Sequence, residues 1–313
     1  MSALHVALTT SEQYNAPALA TFPPNIMSTP IRWRHDRPAP RRPRPEARPL
    51  SVIKSALGEM ARVAFAEPFM LAIERQQIYL RRLPKPLDGL RIVQLSDLHF
   101  GPIVNPRHLE RAIEAANDLR PDLIALTGDY ISHDRSYAAP CAELVGRLRA
   151  RHGVFAVLGN HDHWTDAALI ADLFRAEGIT VLLNEGMRLD LNGESFWLSG
   201  VNDTMVGLED LPLALAGSGE NEMKLLLAHN PIILRRAARA GVDLVLSGHT
   251  HGGQVTLRPE KNRSGRPRRR LLRGLGRRGN TQIYVTRGLG TVVLPIRYGC
   301  PPEVSMLELR SIS

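Results

Sequence analysis

The chain has 313 residues, 43% of them hydrophobic and 5% aromatic, with a formal net charge of +9. That length accommodates one α/β unit of the common ~200–250 residues plus a tail, with Leu, Val, Ile and Ala filling the core in place of aromatics. The two cysteines, Cys141 and Cys300, lie outside any Cys-x-x-Cys or Cys/His pattern. This argues against a disulfide scaffold and points to a reducing compartment or to plain use of the thiols in the core.

The charge is local. Residues 30–50 hold seven Arg against Asp36 and Glu46, and residues 258–278 hold ten Lys/Arg against Glu260, leaving a net −5 on the rest. Two basic segments, not a basic globular surface, account for the excess, which argues against a nucleic-acid fold. The basic segment 258–278 contains no aromatic residue, so it offers no stacking platform for single strands. It is expected to be a solvated loop or a segment drawn to anionic lipid headgroups.

In chain order, residues 1–50 lack periodicity and are rich in Pro and Arg from residue 23, the composition of a disordered tail. Met27 is an alternative start. Arg41-Arg42 is followed by no uninterrupted apolar stretch, so an export signal is rejected, and no run of 18 uncharged apolar residues exists to span a membrane. Residues 51–87 form a lead-in. Ile53, Leu57, Met60 and Ala64 stand at helical spacing over 52–66, and residues 69–82 alternate as a strand. This lead-in packs on the core or lies on a membrane surface.

From residue 88 to 313 the pattern becomes regular. Strands are predicted at 91–95, 123–126, 154–158 and 180–183, separated by helices at 106–119, 141–150 and 166–177. Such alternation implies a largely parallel layer covered by helices. Beyond residue 187 strands dominate. They are predicted at 187–191 and 196–198 around an Asn192-Gly193 turn, then at 224–227, 244–246, 254–257, 282–285 and 304–309, with one helix at 232–240. The second half therefore reads as a second sheet stacked on the first.

Five segments concentrate the chemistry: Asp97-Leu-His99, Gly128-Asp129, Gly159-Asn160-His161-Asp162, His229-Asn-Pro and Gly248-His249-Thr-His251. Each falls at or just past a predicted strand end, where open α/β sheets place their ligands. One histidine at a strand end is most often a cap or a core residue, and Gly-Asp alone is a turn. Five such segments together are not explained that way. The seven donors Asp97, His99, Asp129, Asn160, His229, His249 and His251 mix carboxylate, amide and imidazole, which fits Mn, Fe or Zn and argues against thiolate zinc or all-oxygen calcium sites. Two such cations, about 3.5–4 Å apart, need a bridging carboxylate, and Asp129 sits between the two ligand groups in sequence. Bridged ions generate a hydroxide nucleophile near neutral pH and clamp a phosphate. His161, next to Asn160, is the expected proton donor to the leaving group, with Asp162 as the carboxylate that orients it.

These segments, in this order over roughly residues 88–310, resemble the signature of the calcineurin-like metallophosphoesterases. The resemblance implies an α/β fold of four layers, α/β/β/α, in which a two-sheet β-sandwich is flanked by helices. It implies a first metal held by Asp97, His99 and His251, a bridge at Asp129, and a second metal held by Asn160, His229 and His249. His161 and Asp162 would be the catalytic pair, although the family often carries Glu where Asp162 stands. The stretches Gly200-Val-Asn-Asp203, Tyr284–Gly290 and Leu294-Pro-Ile-Arg297 are similar to a bacterial, membrane-associated phosphodiesterase branch, whose substrates include nucleotide-sugar lipids. Arg287 and Arg297 are candidate substrate contacts. The expected function is a phosphodiesterase dependent on two divalent metal ions that acts on a small or lipid-linked phosphoester. The expected location is the cytoplasm, peripheral to the inner face of the membrane. A nuclease or cyclic-nucleotide phosphodiesterase of the same fold and a non-catalytic metal-binding scaffold are the alternatives.

Overall fold

The computed structural model describes residues 50–256 and 272–312, with side chains from Leu57 onward. The tail expected over 1–50 and most of the basic segment lie outside the described residues. Helix α1 (Leu50–Ala66) leads through a 3-10 turn (Glu67–Phe69) into β1 (Ala72–Leu80), followed by β2 (Arg91–Leu95), α2 (Pro106–Asp118) and β3 (Leu123–Thr127). Next come α3 (Ala138–Val145), β4 (Val154–Val157), α4 (Asn160–Thr165), α5 (Ala167–Ala176) and β5 (Thr180–Val181). The second half runs β6 (Glu185–Leu191), β7 (Glu194–Gly200), α6 (Leu211–Ala214), β8 (Lys224–Leu227), α7 (Leu234–Arg239) and β9 (Leu244–Ser247). It closes with β10 (Gly274–Arg278), β11 (Thr281–Val285) and β12 (Glu303–Ser311).

Two six-stranded mixed sheets result, in the orders β1-β12-β2-β3-β4-β5 and β10-β11-β9-β8-β7-β6. In the first, β2 to β5 are parallel and β12 pairs antiparallel with β2. In the second, β7, β8, β9 and β11 are parallel. The period-2 alternation of side chains sorts the apolar residues into three cores. Ile92, Leu123, Leu307, Phe196, Leu225 and Leu244 interdigitate between the sheets. Val93, Leu95, Ile124 and Leu126 face α2, α3 and α5 on one outer surface. Leu226, Val245 and Ile283 face α6 and α7 on the other. The order of layers is therefore α/β/β/α.

Local chemistry sets the element ends. Asn105 caps α2, accepting the Arg107 N–H at 3.0 Å, with Pro106 pre-set as the first helical residue. The β6–β7 hairpin turns on Asn192 and Gly193, both at positive φ (52° and 80°), as a primed two-residue turn requires.

Three expectations need correction. The strand expected at 254–257 is instead a 3-10 turn at His251–Gly253 followed by a single bridge from Val255 to Tyr298, because Gln254 takes a positive φ of 47° that ends extended pairing. The end of the basic segment is not loop. β10 pairs along β11 as an edge strand, with Arg277 and Arg278 both exposed. The strand expected at 180–183 is only two residues long, since Asn184 at φ 61° turns the chain toward the second sheet.

Candidate metal centre

Asp97, Asp129 and Asn160 follow the carboxyl ends of the parallel strands β2, β3 and β4, and His229 and His249 follow β8 and β9. Loops from both sheets therefore converge. His99 Nε2 lies 3.1 Å from His251 Nε2, and His251 Nε2 lies 3.4 Å from Asp97 Oδ1. On the other side His249 Nδ1 stands 3.1 Å from Asn160 Oδ1 and 3.2 Å from His229 Nε2. Asp129 Oδ2 lies between the two groups, 3.6 Å from His99 Nε2 and 3.1 Å from His229 Nε2.

Holding these donors close strains the backbone. Asp97, His99, Asp129, His249 and His251 all have φ between 47° and 69°. Non-glycine residues enter this region at a cost of about 1–3 kcal/mol each, and such strain collects at functional sites. Backbone bonds lock the loops together. His99 N–H donates to the Asp129 carbonyl (3.0 Å), His161 N–H to Asp129 Oδ1 (2.9 Å) and His249 N–H to Asp97 Oδ1 (3.0 Å). The glycines preceding Asn160 and His249 serve close approach rather than a positive φ. A Cβ on Gly159 would overlap Asp129 Oδ1, and one on Gly248 would overlap Ser96 Oγ and Asp97 Oδ2.

Hydrogen bonds orient the rings. His229 Nδ1 stands 2.7 Å from the Thr127 carbonyl, which fixes the tautomer with a proton on Nδ1 and turns Nε2 toward Asp129. His161 Nδ1 stands 3.0 Å from the Ser132 carbonyl, leaving Nε2 toward the crevice, and its ring packs edge-on against His99 and Trp164. Burial pushes His99 and His251 down to about 3, so both rings are neutral donors. Burial also lowers His229, but the Asp129 carboxylate outweighs it and raises that ring to about 10. Asp129, despite its burial, is held well below the usual carboxylate range by His229 and His99.

The donor set fits divalent metal. Asp97, His99 and His251 present ligand atoms within 4.8 Å of one another, as do Asp129, His229 and His249, and as do His99, Asp129 and His161. Most are buried and face each other, an arrangement of lone pairs that a cation satisfies and solvent does not.

Three candidates are placed elsewhere. Asp162 does not touch the His161 ring. Its buried carboxylate accepts the backbone N–H groups of Asp129 (2.8 Å), Tyr130 (2.8 Å) and Gly159 (2.9 Å). Burial and the neighbouring Asp129 charge raise it to about 7. Arg297 is fully buried, its guanidinium donating to the carbonyls of Arg287, Gly288, Gly290 and Cys300. Arg287 pairs with Glu303 at 2.7 Å and Glu74 at 2.6 Å. Neither arginine is free for a substrate phosphate. Conversely, the carbonyls of Thr127 and Ser132 orient His229 and His161 without any sequence signal, because a carbonyl has no residue identity.

Comparison with known proteins agrees with this architecture. Residues 90–253 match the calcineurin-like phosphoesterase profile. The fold and this match define a metal-dependent hydrolase of phosphoric esters. The chain belongs to the calcineurin-like phosphoesterase family. It is 33% identical over 79% of its length to an uncharacterized metallophosphoesterase, YkuE, of Bacillus subtilis, covering 88% of that protein. It is 35% identical over 70% of its length to phosphodiesterase YaeI of Escherichia coli, covering 82% of it. It is also 31% identical over 77% of its length to a Bos taurus transmembrane protein with a metallophosphoesterase domain, of which it spans 57%.

Proposed function

We propose that this chain hydrolyses a phosphodiester at a centre of two divalent cations, Mn, Fe or Zn. Asp97, His99 and His251 would hold one ion, Asn160, His229 and His249 the other, and Asp129 both. The observation that carries this reading is the position of the Asp129 carboxylate between two imidazole groups contributed by different sheets. When bound, the two cations supply positive charge against a developing phosphorane and lower the pKa of an attacking water.

The chain's own residues do the rest. The strained loops hold the donors in place before substrate arrives, so little reorganisation accompanies reaction. Water adds to phosphorus and loses one proton to solvent, the bond to the leaving oxygen breaks, and His161 Nε2, with Nδ1 fixed on the Ser132 carbonyl, gives that oxygen its proton and is reprotonated from solvent. A monoester and an alcohol leave. The similarity to a protein named a phosphodiesterase favours diesters over monoesters. The substrate in this reading is small or lipid-linked and reached at the inner face of a membrane. Hydrolysis of bis(p-nitrophenyl) phosphate in Mn2+ tests the reaction. His161→Ala is expected to lower kcat by about 10²–10⁴-fold with the metal content retained, whereas wild-type turnover in that variant would exclude the proton-donor role.

A further inference from the structure

A cavity of about 500 Å³ opens at the end of the sandwich away from the metal centre. Strands at the edges of both sheets wall it. β1 is the edge of the first sheet and β10 that of the second, and the Gln282 side chain of β11 ties the two sheets together by donating to the Tyr79 carbonyl. Asp243 lines the cavity immediately before β9, whereas His249 follows the other end of that strand. Four strand residues, roughly 13 Å at 3.3 Å each, separate the two. The hydrolysis proposed above uses no residue of this cavity.

Its charge is unbalanced. Arg81, Arg82, Arg277 and Asp243 line it. Arg82 and Asp243 neutralise each other: Nε and a terminal nitrogen of Arg82 meet the two carboxylate oxygens at 2.9 and 2.8 Å. Arg82 also donates to the carbonyls of Glu220 and Gly241, and the Lys224 N–H donates to Asp243 Oδ2 (2.8 Å). That pair belongs to the wall. Two positive charges remain. Arg81 is exposed and forms no ion pair among the described residues, and Arg277 commits only its Nε, to the Gly279 carbonyl (2.7 Å). Arg277 stands opposite Gln282 in the antiparallel register, so both side chains lie on one face. A concave place lined by one sign of charge concentrates ions of the other sign.

The remaining walls narrow the ligand. Tyr79 is 53% exposed and Ile312 48%, so a flat apolar group has a surface to lie on. The Asn280 amide beside them offers both donors and an acceptor to a polar ring edge. Guanidinium groups suit phosphate oxygens, which they meet with two parallel hydrogen bonds. The volume falls within the ~300–1,000 Å³ of small-molecule sites. We infer that this cavity binds a nucleoside monophosphate, with the phosphate between Arg81 and Arg277 and the base against Tyr79. The nucleotide is held there as a ligand, away from the metal centre, and not as the diester undergoing hydrolysis.

Titration calorimetry of the full chain in Mn2+ with adenosine 5′-monophosphate, adenosine and inorganic phosphate tests the inference. The wild type is expected to bind the monophosphate saturably, at least about tenfold more tightly than either fragment, and more weakly as salt rises. Arg81→Ala/Arg277→Ala should weaken the monophosphate by about 10–100-fold. Asn280→Asp, which sets a carboxylate beside the same phosphate, should weaken it as well. The altered residues are exposed, so wild-type Tm is expected in both variants. Equal binding by wild type and R81A/R277A would overturn the proposal, since the nucleotide would then sit elsewhere, at the metal centre included. So would no binding of the monophosphate by the wild type, or phosphate binding as tightly as the nucleotide, which would mark an anion site with no place for the base. The readout is binding, so a chain inactive on every diester would lose the hydrolase reading and keep the nucleotide site.

Discussion

Asp162 shows how a residue beside the reaction centre can act through the backbone. Its carboxylate accepts four N–H groups, from Asp129, Tyr130, Ile131 and Gly159, and so sets the turn that presents Asp129. Asp162→Ala leaves four buried donors unpaired at ~1–3 kcal/mol each. The expected result is a loss of about 3 kcal/mol or more in urea unfolding together with weakened metal retention, and no change in the pH profile of whatever activity remains. A folded, metal-replete Asp162→Ala protein with a shifted pH profile would return Asp162 to the role of His161's partner. The places of Asp97, Asp129, Asn160, His229 and His249 were legible in the sequence because each lies just past a strand that its own apolar run announces. The role of Asp162 was not. Adjacency in sequence suggested a contact with His161, while on α4 successive side chains diverge and the Asp162 carboxylate turns back to cap its own turn through Gly159.

At the scale of elements, the loop from Arg287 to Cys300 has little regular structure and is organised by one guanidinium. Arg297 gathers four carbonyls of that loop inside the protein, while Gly290 N–H donates to the Asp97 carbonyl at 2.6 Å. Arg297→Ala removes those donors and leaves a cavity, so we expect a loss of ~3–5 kcal/mol. Arg297→Lys, lacking the planar fork, should recover only part of it. A change confined to KM with stability untouched would instead support a substrate contact. A charged residue in a Gly- and Pro-rich loop reads as solvent-facing from sequence, because only the fold reveals which carbonyls lack partners. Strands buried on both faces, such as β2, β3, β8 and β9, were legible as apolar runs. β10 was not, because five residues of Gly, Leu and Arg at a sheet edge carry no period-2 signal.

For the whole molecule, the buried histidines and carboxylates of the candidate centre set how stability depends on pH. In the metal-free protein, buried His99 and His251 stay neutral until about pH 3 and take up protons on unfolding below pH 6.5. Stability therefore falls as pH drops below 6.5. Asp162, raised to about 7, binds a proton when folded that the unfolded chain releases above pH 3.8, which offsets one of those two histidines. His229 acts in the opposite sense. Raised to about 10 by Asp129 against the effect of burial, its stabilisation is complete below 6.5 and is lost as pH climbs toward 10. Metal-free protein should therefore be most stable near pH 6.5, as judged by urea midpoints from pH 4 to 10. A midpoint that rises steadily to pH 10 would contradict the His229–Asp129 pairing. The two-sheet architecture was legible from the change in grammar after residue 187. The pairing of β1 with β12 was not, since it joins the two ends of the domain through parallel register alone.

The central claim is that seven side chains from two sheets enclose two neighbouring cations bridged by Asp129. Anomalous diffraction from crystals of the active protein grown with Mn2+ tests this most directly. The expected result is two peaks about 3.5–4 Å apart, both bordering Asp129, with the second peak lost in Asp129→Asn. A single peak, or two peaks with Asp129 contacting neither, would contradict it.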